Sequence, residues 1–75
     1  MIPFEKAKEI ALDLLPEANN SQETTTAWIF GDDTNISFGH NEPVVVLKET
    51  GEAIPMVEFL FGDYDQGDEM GSGRI

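Results

Sequence analysis

Apolar residues at spacings of three and four open the chain. Phe4, Ala7, Ile10, Ala11, Leu14 and Leu15 share one helical face, and Glu5, Lys6, Lys8, Glu9 and Asp13 take the other. This predicts an amphipathic helix over 3–15, with one face buried. Pro3 suits the first helical position, where its missing donor costs nothing, and Pro16 disfavours a helical Leu15, so the regular helix should end there. After a polar link at Ser21 and Gln22 the period changes to two. Thr24, Thr26, Trp28 and Phe30 alternate with Thr25, Ala27 and Ile29, which predicts a strand over 23–30 whose aromatic face meets the helix. Gly31-Asp32-Asp33 is a turn signal, and 34–38 reads as a shorter strand with Ile36 and Phe38 on one face.

The run from Asn41 to Phe61 organises the rest. Val44 to Leu47 is β-branched and apolar, Lys48 to Glu52 is a turn signal, and Ala53 to Phe61 is apolar again, which predicts a β-hairpin. A loop of Glu49, Thr50 and Gly51, ending in a left-handed glycine, would set Lys48 opposite Glu52. Pro43 suits a strand start, Pro55 implies an edge or bulge, and Val57, Phe59 and Phe61 alternate as a resumed strand. The expected fold is α+β: an N-terminal helix on an antiparallel meander of three to four strands. Its expected core is Phe4, Ile10, Leu14, Trp28, Phe30, Ile36, Val44, Val46, Ile54 and Phe59, with Trp28 in the core rather than a binding platform. The domain should span 1–62, and 63–75, rich in glycine and acid, should be a flexible tail.

Composition narrows the function. The chain has 75 residues, enough for one domain with a modest core and no deep substrate cavity. Fifteen acids against four bases leave a formal charge of −11, which argues against nucleic-acid or anionic-membrane partners and favours fast association with a basic protein. The same charge also serves solubility alone. No basic leader or membrane-length apolar run is visible, so a cytoplasmic location is expected, and the absence of cysteine excludes disulfides and thiolate metal sites. The acids of 63–69 miss calcium-loop spacing, because counting from Asp63 the sixth position is Asp68 and the twelfth is Arg74. No metal or cofactor is expected. His40, the single histidine, has no identifiable nucleophile and orienting acid, and no pair of carboxylates is singled out by spacing, so no catalytic residue is assigned.

Asn41, Pro43, Val44 to Val46, Lys48, Thr50, Gly51 and Glu52 resemble the signature of the immunity protein 35 (YrhB-like) family, ungapped over about a dozen positions. Trp28 and Phe30 stand where that family carries a Trp-x-Phe strand. Leu47 replaces its usual Asp, His40 stands where Gly is often found, and the stretch from Phe30 to Asn41 is shorter. Family members carry a Gly-Thr and a short helix after the hairpin, whereas 56–61 reads here as strand. The resemblance implies a small bacterial α+β protein that neutralises a cognate toxin by covering its active surface. The partner-binding residues expected on that reading are Asp32, Asp33, Glu42, Glu49 and Glu52, with a basic toxin as partner and a monomer or weak homodimer as the working state. The alternatives are a stand-alone housekeeping or chaperone-like module, or a peptidase-inhibitory domain, since PepSY-like propeptides also use a Lys-x-Thr-Gly-Glu turn.

Overall fold

The computed structural model describes residues 2–31 and 43–75. The expected strand over 34–38, with Ile36, and the loop carrying His40 lie outside the described residues. The fold is α+β. Helix α1 (Phe4–Leu14) is followed by strands β1 (Asn20–Thr24), β2 (Ala27–Gly31), β3 (Val44–Leu47) and β4 (Ala53–Pro55), a short helix α2 (Met56–Phe61) and strand β5 (Glu69–Arg74). Among the described residues the antiparallel sheet has five strands in the order β4-β3-β2-β1-β5, against the three to four expected.

Period two on the central strands fills both faces. Phe30 and Val46 point to α1, where they bury Ala7 and Ala11, while Ala27, Ile29, Val45 and Ile54 point the other way, onto Phe59 of α2. The aromatic face of β2 therefore meets α1 as predicted. Phe4 packs edge-on against Trp28 with ring centroids 5.3 Å apart, a favoured aromatic geometry. Leu14, expected in the core, is 60% exposed, and Leu15 is buried instead. The chain leaves helical geometry at Leu15 (φ −136°, ψ 80°), which turns that side chain inward just before Pro16. Pro3 caps the helix rather than starting it, and its carbonyl accepts the Ala7 amide at 3.1 Å.

Four further expectations are corrected. Of the threonine run only Thr24 is strand, and Thr25 and Thr26 form the β1–β2 turn: the Thr24 hydroxyl accepts the amides of Thr26 (3.2 Å) and Ala27 (3.0 Å), so local side-chain bonds win over β propensity. The polar link at Ser21 and Gln22 thereby becomes part of β1. The β3–β4 loop contains Lys48 to Gly51, one residue longer than expected: Leu47 donates to the Glu52 carbonyl at 2.9 Å, so Leu47 and not Lys48 faces Glu52. Gly51 holds the predicted positive φ, 77°. Residues 56–61 form α2 rather than strand, because Pro55 has no amide to continue a ladder and the chain turns helical directly after it. Finally, the segment expected as a flexible tail supplies β5. The Thr25–Thr26 turn anchors it: Thr26 Oγ1 donates to the Asp65 carbonyl at 2.7 Å, the Asp68 amide donates to Thr25 Oγ1 at 3.1 Å, and the Thr25 amide donates to the Asp68 carbonyl at 3.0 Å.

Candidate protein-interaction surface

The most enclosed charge in the described structure serves the fold. Lys48 is 7% exposed; its Nζ lies 2.6 Å from Glu23 Oε2 and 4.6 Å from the centroid of the Trp28 ring. Its amide donates to the Thr26 carbonyl (3.0 Å) and its carbonyl accepts the Ile2 amide (2.9 Å). One residue thus ties the N-terminus, the β1–β2 turn and the hairpin loop together. With its ammonium paired and stacked, Lys48 is not a free nucleophile.

The outward chemistry lies around α2. Phe59 points inward and is 2% exposed, whereas Val57, Leu60 and Phe61, spaced as i, i+3 and i+4, form the outer side and are 49%, 41% and 84% exposed. Gly62 ends the helix: its amide donates to the Glu58 carbonyl at 2.7 Å, and a Cβ there would sit 2.6 Å from that oxygen. The chain then doubles back, so that Tyr64 stacks on Phe59 and its hydroxyl donates to Glu58 Oε2 at 3.0 Å. That hydrogen bond, then desolvation, then the charges of Glu58 and Glu52 raise the Tyr64 pKa above its ordinary value of 10.0. Tyr64 therefore remains a neutral donor amid carboxylates at neutral pH.

Of the expected partner-binding acids, Asp32, Asp33 and Glu42 lie outside the described residues. Glu49 and Glu52 are exposed at the β3–β4 loop. An open groove lined by Thr26, Leu47, Glu49, Thr50, Tyr64 and Asp65 joins that loop to the segment after α2, and the field of Glu52 reaches Tyr64. The structure thus sets Glu49 and Glu52 in one acidic neighbourhood with Glu58 and Asp65. What sequence reasoning missed is the apolar half, Val57, Leu60 and Phe61, together with Tyr64. Their spacing after Pro55 was the available signal, masked by an alternation of Val57, Phe59 and Phe61 that fits a strand equally well.

Among the described residues, no group of three or more His, Asp or Glu converges to hold a metal ion, and no helix is long and apolar enough to cross a membrane. The chain matches no family model, no curated protein and no solved structure.

Proposed function

We propose that this chain is a small, acidic, non-catalytic binding protein that covers a basic surface of a protein partner, in the manner of the immunity proteins it resembles, with a bacterial toxin met in the cytoplasm as that partner. The observation that carries the reading is Phe61, 84% exposed beside Leu60 on a helix linked through Tyr64 to the groove that Glu49 and Asp65 line. An aromatic anchor with a polar rim is the usual energetic layout of a protein interface. The acids would steer a basic partner and the apolar side of α2 would hold it, so the two halves govern different rate constants. The short helix after the hairpin also supports the resemblance, since that family carries one in the same place.

The test starts from the neighbouring genes. A secreted-toxin gene beside the coding sequence supplies the partner, and its absence removes the toxin reading. With that partner, stopped-flow measurement should show Phe61→Ala raising the dissociation rate by about tenfold or more, while Glu49→Gln with Glu52→Gln slows association and weakens its dependence on salt. Rates indifferent to both changes, or a pull-down dominated by neutral or unfolded clients, would replace this reading with the chaperone-like or peptidase-inhibitory one.

A further inference from the structure

Met70 reaches Lys48 through an irregularity in the sheet. Trp28 opposes Glu23, and Glu23 opposes Gly71, so these three share one face, the face on which Trp28 meets Phe4 of α1. Regular alternation would send Met70, the neighbour of Gly71, to the other face. Instead the pairing steps from Glu23 opposite Gly71 to Thr24 opposite Glu69, which leaves Met70 as the extra residue of a β-bulge. Its sulfur comes to 3.9 Å from Lys48 Nζ, beside Trp28 and Glu23. Bulges re-aim side chains, and this one aims a thioether that is 59% exposed at the most enclosed charge among the described residues.

We infer that Met70 is a site of oxidation by peroxide, and that its sulfoxide fastens β5 to Lys48. The ammonium carries three N–H donors; Glu23 Oε2 takes one at 2.6 Å, and the thioether is only a weak acceptor for another. In the reaction a sulfur lone pair attacks one oxygen of hydrogen peroxide and the O–O bond breaks. The released hydroxide takes the proton of the new S–OH group and leaves as water, so sulfur loses two electrons and peroxide gains them. The lone pair turned away from Lys48 is the one that reacts, and rotation of the exposed side chain brings the new oxygen round. An S–O bond set at a bent angle across the 3.9 Å gap places that oxygen about 2.8 Å from Nζ, the length of a charge-assisted hydrogen bond. Oxidation ordinarily disrupts packed methionines, as it would Met56 against the Phe59 cluster. Met70 has no core position to lose. Its new bond would instead run from β5 across β1 and β2 to the β3–β4 loop, strapping the edge strand to the centre of the sheet.

This inference does not depend on the proposed partner surface around α2, and its test uses the full chain alone. In the wild type, peptide mass mapping during peroxide treatment should show Met70 oxidised ahead of Met56. Met56→Leu, a volume-conserving change, then removes the methionine packed on the core. In that background, oxidation of Met70 should slow hydrogen exchange at the β5 amides by about fivefold or more. Adding Met70→Leu supplies the control, in which the same treatment should leave those amides unchanged. Met70→Gln sets a permanent carbonyl acceptor near the sulfoxide's position, so without any oxidant it should slow β5 exchange relative to Met70→Leu. Both substitutions lie at an exposed position and leave Lys48 and Glu23 in place, so the comparison does not turn on loss of the fold. A Met70 no more reactive than Met56, an oxidised Met70 that speeds β5 exchange or leaves it unchanged, or a glutamine variant no slower than the leucine one overturns the inference.

Discussion

Removing one member of the Glu23–Lys48 pair leaves two unequal remnants. The Lys48 side chain is 9% exposed and that of Glu23 is 31% exposed, so a lone Glu23 can turn to water while a lone Lys48 cannot. An ion pair's bond length does not reveal this difference, because it arises from desolvation of whichever charge stays behind. Glu23→Gln should therefore cost about 2 kcal/mol, the buried-pair penalty discounted for the partial exposure of Glu23. Lys48→Met keeps the apolar stem against Trp28 and should cost about 1 kcal/mol or less. Urea denaturation of both variants checks the order. Equal losses would mean that water reaches Lys48 as easily as Glu23.

At the scale of elements, legibility followed how local the deciding interactions are. Helix α1 and the β3–β4 hairpin depend on periodicity and on Gly51 at φ 77°, and both could be read from the residues. The Thr24–Thr26 turn depends on which of two backbone conformations lets the Thr24 hydroxyl bond, a choice that β-branching alone decides wrongly. Helix α2 shares its apolar positions with a strand pattern, and only the burial of Phe59 beneath Tyr64 distinguishes them. Strand β5 has almost no pattern of its own, since its order comes from β1 and from the Thr25–Thr26 anchor far away in sequence. Glu49 and Glu52 could be named as loop acids from the hairpin alone, whereas Val57, Leu60, Phe61 and Tyr64 come together only through α2 and the chain that doubles back after it. Gly67 tests the account of β5. It sits at φ 66°, and a Cβ there would run into Thr25 Oγ1 and crowd Thr26, so Gly67→Ala should cost about 2 kcal/mol or more through strain and overlap together. Hydrogen exchange should show the β5 amides, and those of β1 that face them, released while β2 and β3 stay protected. Uniform acceleration across the sheet would instead make β5 part of one cooperative unit with the core.

For the whole molecule, charge and packing pull in opposite directions. Strands β2, β3 and β4 pack against α1 on one face and α2 with Tyr64 on the other, so burial at that end of the sheet holds a small chain together against the self-repulsion of a net charge of −11. That repulsion acts between exposed groups and is open to screening, whereas Lys48 and its contact to Glu23 are largely shielded from added ions. Raising sodium chloride from about 0.1 M to about 1 M shortens the screening length from about 10 Å to about 3 Å, which removes most repulsion between separated carboxylates while leaving the short ion pair largely in place. Stability should therefore rise with salt. The measurement is the thermal midpoint of dilute protein in sodium chloride and in sodium sulfate at matched ionic strength. If screening is the cause, both salts raise the midpoint together at low ionic strength, and sulfate adds more only at high concentration, where its exclusion from protein surface strengthens burial. A midpoint that falls as sodium chloride is added would mean that attractive pairs outweigh the repulsion, and that the excess of acid does not strain the folded state.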